Sequence, residues 1–443
     1  MNLEEIPKLA VEKLVKEGAE DAAVSLTSES VKTVRYANNE VTTIYAMSTN
    51  KLSVYVGVDE RYFYGEFEKV DPETVDYIAK RAIEIAKASP KAKIYASLPK
   101  GPFEYRPPKP YDKRIAKEEE ELVDYVSRAI NASLEVGAKR CAGILYATYV
   151  KRVLCTTGGV EAADEGTIIE LSHRAFANGE ASGHWVSCSK SMENFNPEEA
   201  GRRAAEVAVK ALNPKQVEAG KYDVILAPMI FANLVSEMAM FASAFYVDAG
   251  ISFLAGKLQQ EVASKVFTMV DDPTAEDALF AVRFDDEGVP TKRTPIVENG
   301  VLKTYLHNSK TAKKMNAELT GHAGYVVPHP WNVYVKPGTV EEEKLLEKLD
   351  KGLYLTNSWY HRYQNFRTGD FSAILRDGAF YVENGEIKYP VKGGRISDNM
   401  IRLFSNIETL GDRTYLIKWW EVPIPVYVPA ALVRDVNITK AVK

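Results

Sequence analysis

Apolar residues recur at helical spacing through Ile6, Leu9, Ala10, Val11, Leu14 and Val15, which predicts an amphipathic helix over Leu3 to Lys16. The period then shortens to two. The segments AAVSLTSES, VKTVRYANNEVTTIYAMS and KLSVYVGVDERYFYGEFE alternate polar with β-branched or aromatic residues, the pattern of half-buried strands. Asn38–Asn39 and Asp59–Glu60 read as the turns between them. A second helix is predicted to open at Asp71-Pro72-Glu73, with a capping carboxylate, proline at the first helical position and an acid in the first turn.

The same succession then returns. Glu118 to Leu134 reads as a helix, followed by strands near CAGILYATYVKRVLCTT, VEAADEGTIIELSHRAFA and SGHWVSCSKSM. Another helix opens at Asn196-Pro197-Glu198 and runs on through AAEVAVKAL. Residues 91–114, rich in proline and lysine, read as a connector crossing the surface between sub-repeats at 1–90 and 115–212. A duplication and two independent uses of one capping device would both leave this signature.

From residue 220 onward the chain is more apolar and richer in strands. The organisation expected is α+β: an N-terminal domain over 1–219 and a β-rich C-terminal domain over 220–443 that carries a buried helix. That helix is predicted over Met229 to Val247, after a short strand at Lys221 to Ala227. Val224 to Val247 holds a single charge, Glu237, and so raises the question of a membrane span. Pro228 splits the run, and a central carboxylate costs roughly 2–3 kcal/mol on insertion, so a buried strand and helix is the better reading. Asn299–Gly300 and Asn384–Gly385 signal tight hairpin turns. Glu341 to Lys351 reads as a charged amphipathic helix, and the proline-bearing end (Pro423, Pro425, Pro429) as edge or irregular strands. Trp419, Trp420 and Tyr427 read as core before interface.

Composition narrows the function classes. Hydrophobic residues at 46% and charged residues at 26% exclude a disordered or fibrous chain. Lys and Arg total 56 against 61 Asp and Glu, so the net charge of −5 argues against non-specific nucleic-acid binding. Three cysteines in a chain this long do not make a disulfide framework, and the acidic, helical start is no signal peptide; both lead to the expectation of a reducing cytoplasm. Phosphate-loop, dinucleotide, nucleophile-elbow and H-E-x-x-H motifs are absent. His322 and His329 lack a third soft ligand nearby, and Cys155 lacks a basic partner, so a metal pair and a nucleophile are both set aside.

Four stretches carry a resemblance. They are LAGKLQQEVASKVFTMVDDPT from Leu254, IVENGVLKTYLHNSKTAKKMNAELTGHAG from Ile296, RTGDFSAILRDGAFYVENGEIKYPVKGGRISDN from Arg367 and NIETLGD from Asn406. In this order and spacing the chain resembles the TldD/PmbA family, once described as modulators of DNA gyrase and now viewed as components of metallopeptidases. Catalytic members have H-E-x-x-x-H on the helix after the VILAP-like strand and a late cysteine as a further zinc ligand. Here that helix reads LVSEMAMFASAF: Ser236 and Phe241 stand at the histidine positions, Glu237 keeps the acid, and no cysteine follows Cys188. Serine and phenylalanine cannot supply the nitrogens that hold zinc while leaving a position for water.

The resemblance therefore implies the PmbA (TldE) branch: no catalytic and no metal-ligating residue of its own, with zinc expected only in a TldD-like partner. Expected partners are such a catalytic subunit or a second copy (a dimer) and a peptide substrate, with neither nucleic acid nor membrane. The candidate substrate-cleft loop is Thr368, Gly369, Asp370, Phe371 and Ser372, where glycine permits close backbone approach and Asp370 and Ser372 offer acceptors to backbone amides; a plain tight turn closed by Asp370 is the alternative. His361, Arg362 and Tyr363 are further candidates for the lining. Glu237 is expected to face water or a neighbouring arginine. Two other readings stay open: an independent hydrolase or metallopeptidase using Glu237 with non-family ligands, and a non-enzymatic gyrase-associated regulator.

Overall fold

The computed structural model describes residues 3–117, 120–179 and 181–440. Helix α1 (Ile6–Lys16) leads into three strands, β1 (Asp21–Ala37), β2 (Glu40–Val58) and β3 (Arg61–Phe67), and then α2 (Pro72–Ala88). After the connector come α3 (Lys113–Lys117), α4 (Glu120–Val136), β4 (Arg140–Thr156), β5 (Glu161–Asn178), β6 (Ala181–Ser189) and α5 (Pro197–Lys210). Glu118, where the sequence placed the start of α4, lies outside the described residues.

Local chemistry accounts for these elements. Asn38 and Asn39 both take left-handed φ values (53° and 69°), as do Asp59 and Glu60 (48° and 59°), so two-residue turns match the strand twist. Asp71 accepts the Thr74 amide at 2.8 Å to cap α2, and Asn196 accepts that of Glu199 at 3.0 Å to cap α5. One six-stranded sheet results, ordered β3-β2-β1-β4-β5-β6, in which β1 and β4 pair antiparallel at the centre and each trio runs outward. Helices α1 and α2 bury Leu14, Ile78 and Ala82 against Leu26, Val54 and Val56, while α4 and α5 bury Val126, Ile130 and Ala204 against Leu145 and Leu171.

Helices α4 and α5 touch through Gly201. A Cβ there would lie 2.1 Å from the Ala129 carbonyl oxygen, a position that only glycine can fill. Gly201→Ala is expected to cost about 1–3 kcal/mol by forcing the helices apart, read as a lower urea midpoint. Gly166→Ala, whose Cβ would enter open space, is the control and should leave the midpoint unchanged.

The remaining chain forms β7 (Lys215–Gln216), β8 (Gly220–Leu226), α6 (Pro228–Phe241), α7 (Ala244–Asp248), β9 (Met269–Asp271), β10 (Thr294–Glu298), β11 (Val301–Leu302) and α8 (Ser309–Met315). There follow β12 (Val333–Val335), β13 (Lys351–Asn365), β14 (Asp370–Glu383), β15 (Glu386–Lys392), β16 (Gly394–Asn399), α9 (Met400–Ser405), β17 (Ile407–Leu410), β18 (Tyr415–Trp419), β19 (Val422–Val428) and β20 (Ala431–Lys440). Two sheets result. One is ordered β11-β10-β9-β12-β19-β18, and the other β13-β8-β20-β16-β14-β15-β7 with β17 on β20. The architecture is mixed α+β, and α6 is almost wholly buried within the C-terminal half.

Several expectations are corrected. Helix α6 ends at Phe241 rather than reaching Val247, because the backbone turns aside to bond Leu306: the Leu306 amide donates to Ala242 and the Ala244 amide to Leu306, both at 2.9 Å. The helix expected over Glu341 to Lys351 is one short 3₁₀ segment, Glu342–Lys348, since Lys351 already belongs to β13 and the next residue, Gly352, pairs with β8. The proline-bearing strand β19 and the last strand β20 are not at the edge, although β18 is. β19 lies between β12 and β18, and β20 between β8 and β16. The prolines are tolerated because β12 pairs only with Val426 and Tyr427, beyond Pro423 and Pro425. Among the described residues no helix is long and apolar enough to cross a membrane.

The N-terminal sheet is fastened to the C-terminal half by charged groups. Arg174 pairs with the buried Asp377 at 2.7 Å, Arg283 with Asp164 at 2.6 Å, and Lys418 with Glu170. The connector takes part: Arg106 donates to the carbonyls of Thr291 and Val282, both at 2.9 Å.

Candidate functional site

The last turns of α6 carry the residues of interest. Ser236 is buried, and Phe241 closes the helix inside an aromatic cluster, with ring centroids 5.1 Å from Phe253, 5.1 Å from Tyr363 and 5.9 Å from Phe366. Glu237 lies one turn earlier. Burial foremost, and the neighbouring Glu421 carboxylate next, push its carboxyl up to about 7, while a hydrogen bond with the Tyr363 hydroxyl opposes them. The ionisable group nearest to it is thus a second acid, Glu421, where an arginine was one of the neighbours expected.

Glu421 owes its position to the turn at Trp420–Glu421 between β18 and β19. Its Oε1 accepts the Tyr360 amide at 2.7 Å, and its buried Oε2 has no hydrogen-bond partner among the described residues. Burial raises this carboxyl too, against the pull of Arg362. Beside it, Trp420 is 60% exposed while Trp419 and Tyr427 are buried, so the three aromatics divide between surface and core. Trp419 and Trp420 face Tyr45, Met47 and Tyr146 of the N-terminal sheet across a cleft of about 440 Å³.

The hairpin β13–β14 brings the second group of residues to the same place. Gly369 takes a left-handed φ of 82°, and its amide donates to Asn365 at 2.9 Å. A Cβ on it would meet Phe253 at 3.0 Å, so the turn rests on the ring that also packs against Phe241. Asp370 accepts the Thr368 hydroxyl at 2.5 Å and the Asn399 amide at 2.9 Å, and Ser372 accepts Arg395 at 2.8 Å. Of the expected loop only Thr368 and Gly369 lie in the turn, because Asp370, Phe371 and Ser372 already pair with β16 as the start of β14, and side-chain donors engage the acceptors of Asp370 and Ser372. Phe371 and Ser372 are buried, and Asp370 is exposed. Tyr363 joins both groups through its ring and its hydroxyl, and His361 is held by Ser358 at 2.8 Å.

Motif reasoning overlooked Glu421 and Trp359. The local signal was the W-W-E run before two closely spaced prolines, a turn that sets an acid between large rings. Trp359 stacks over the Arg174 guanidinium at 3.9 Å, linking the site to the inter-half ion pair.

These donors do not fit zinc. The helix offers a hydroxyl and a phenyl ring where imidazoles are needed, and the remaining candidates are two carboxylates. Among the described residues, no group of three or more His, Cys, Asp or Glu could hold a metal ion. His322 bonds Asp271 at 2.8 Å, whereas His329 faces the Val327 carbonyl at 3.4 Å, so the two histidines serve separate partners. Cys155 is buried in β4 with its thiol pushed up to about 11 by burial, which disfavours the thiolate a nucleophile needs.

Comparison with known proteins agrees with this architecture. Family models described as the PmbA/TldA metallopeptidase C-terminal domain and central domain match residues 219–440 and 113–212. A metalloprotease of Methanocaldococcus jannaschii is 35% identical over 213 residues, 46% of this chain and 46% of that protein. The chain spans about half the length of the first curated relatives it matches. A Thermotoga maritima protein described as a modulator of a DNA gyrase superposes with a TM-score of 0.85 at 28% identity, covering 99% of this chain and all of that one. TldE from Thermococcus kodakarensis shares the fold, with a TM-score of 0.88 at 20% identity over 98% of this chain and 99% of that one. With both family models matched in chain order over a fold shared along almost the whole length, the chain belongs to the PmbA/TldD family of metallopeptidase-type proteins.

Proposed function

We propose that this chain is a non-catalytic subunit of the PmbA/TldE type, acting with a TldD-like zinc peptidase on peptides or unfolded segments in the cytoplasm. The observation that carries the reading is Phe241: the residue at the second histidine position is built into an aromatic cluster instead of facing a metal. The cleft beside Trp420 and the Thr368–Ser372 segment would guide an extended peptide, whose backbone can be held with little side-chain selectivity. Residues 1–219 would form the guiding α+β domain and 220–443 the domain that carries the degenerate helix.

The test is a pull-down from the native cell combined with metal analysis. A histidine-bearing relative should co-purify, and the isolated chain should hold no stoichiometric zinc and cleave no peptide. Zinc and peptidase activity in the lone chain would refute the proposal.

One observation favours a second reading. A carboxyl near 7 beside a phenol is poised for proton transfer, so an independent hydrolase could use Glu237. In that case Glu237→Ala abolishes an activity measured on the lone chain. The gyrase association in the Thermotoga protein's description gains no electrostatic support here, since the net charge is −5.

A further inference from the structure

A second pocket, of about 180 Å³, lies in the seam between the N-terminal sheet and the C-terminal half and shares no lining residue with the cleft at Trp420. Its floor is one face of the sheet. Along β5, Asp164, Gly166 and Ile168 fall on the same face, and Gly166 pairs with Val150 of β4. Asp164 reaches Arg283 at 2.6 Å, so this face looks toward the C-terminal half. The other walls are Leu279, Phe280, Val282 and Trp331, with Pro110 and Tyr111 from the connector. Gly166 keeps the space open. Glycine weakens a strand interior and marks places where a ligand or another backbone comes close. Every other glycine of the described chain either takes a left-handed φ or would bring a Cβ within 4 Å of another group; Gly166 does neither. No backbone claims the position, which leaves it to a ligand.

We propose that this pocket binds a small carboxylate with an apolar body, the body on Val150 and Ile168 over Gly166 and the carboxylate at Lys109 and Lys190. The volume suits a ring, since a dry protein cavity of about 150 Å³ already admits benzene. Charge sets the sign of the head group. Of the charged residues that line the pocket, Arg152 is paired with Asp286 at 2.6 Å and Asp164 with Arg283, while the exposed Glu165 accepts the Tyr149 hydroxyl at 2.8 Å. Lys109 and Lys190 have no such match. Among the described residues their ammoniums donate only to carbonyls: Lys109 to Thr274 at 3.0 Å and to Ala275, Lys190 to Glu276. Burial foremost pushes both ammoniums down, and for Lys109 the charge of Lys190 comes next, against weaker pulls from Asp272 and Asp277. An anionic head group would relieve both lysines through charge-assisted bonds, with the apolar body covering the walls. Two sources offer this chemistry, a free acid and the last residue of a peptide.

Isothermal titration of the full chain with phenylpropanoate should show one saturable site. Lys109→Met/Lys190→Met should weaken the acid by about 10-fold or more and leave phenylpropanol, its neutral analogue, bound as before. Gly166→Leu, whose side chain enters the pocket, should abolish binding of both, with thermal unfolding showing that the chain is folded. If that variant does not fold, the lysine pair still decides. A hexapeptide ending in phenylalanine, with its carboxylate free or amidated, separates the sources. Binding of the free form alone assigns the pocket to peptide ends, and binding of phenylpropanoate without either peptide assigns it to free acids. No saturation by acid or peptide at millimolar concentration overturns the proposal. So does an acid affinity that the lysine pair does not change, or binding that survives Gly166→Leu in a folded chain.

Discussion

Asp271→Ala is expected to lower stability by about 3–5 kcal/mol, the range for stripping a buried charge network of its acceptor. Asp271 ends β9 and is fully buried. One oxygen accepts the amides of Trp331 and Asn332, each at 2.7 Å, and the other accepts Nε2 of the buried His322 at 2.8 Å. Alanine would leave three donors without partners at the point where β12 joins β9, and each orphaned donor costs about 1–3 kcal/mol. Domains hold only about 5–15 kcal/mol in total, so the variant should unfold at a much lower urea concentration. Asp271→Asn keeps an acceptor for the two amides and should lose roughly 1–2 kcal/mol. Equal urea midpoints for the alanine variant and the wild type would remove the network from the account of how this half is held together.

That network shows where a sequence is readable and where it is not. The helix starts were legible because Asp71-Pro72 and Asn196-Pro197 carry local hydrogen-bond chemistry, and those side chains do cap α2 and α5. The turns at Asn38–Asn39 and Asn299–Gly300 were legible for the same reason, since their left-handed φ values are a property of those residue types. Asp271 and His322 are 51 positions apart and have no local signal, so their pairing exists only through the fold. The end of α6 was missed because it is dictated by Leu306, a distant backbone partner that apolar periodicity cannot reveal. The same limit applied to Glu237. The sequence placed the acid on its helix correctly, but its facing group, Glu421, arrives from a turn near the other end of the chain. Thr368 to Ser372 likewise read as a loop with free acceptors, while the donors that occupy them, Asn399 and Arg395, come from β16.

Glu237→Gln is expected to stabilise the protein by about 1–3 kcal/mol at pH 8 and to change nothing at pH 4. Folding raises this carboxyl from 4.5 to about 7, so the folded state favours its protonated form. Stability tied to it is complete below pH 4.5 and is lost as the pH rises through 7, opposite to the behaviour of a salt-bridged acid. Glutamine mimics the protonated side chain and escapes the loss. Glu287 is also pushed up to about 7, by burial first, and would give the wild-type chain a slope of the same sign. The comparison therefore has to be variant against wild type at each pH, by urea unfolding. Identical curves at pH 8 would mean that Glu237 is hydrated in solution and does not face Glu421 in a dry setting. The result also bears on function, because a carboxyl whose charge is opposed by burial and by a second carboxylate holds its proton near neutrality. A protonated Glu237 beside the Tyr363 hydroxyl makes this part of the site a neutral, hydrogen-bonding surface, the state that the reading as a peptide-holding subunit proposed above requires.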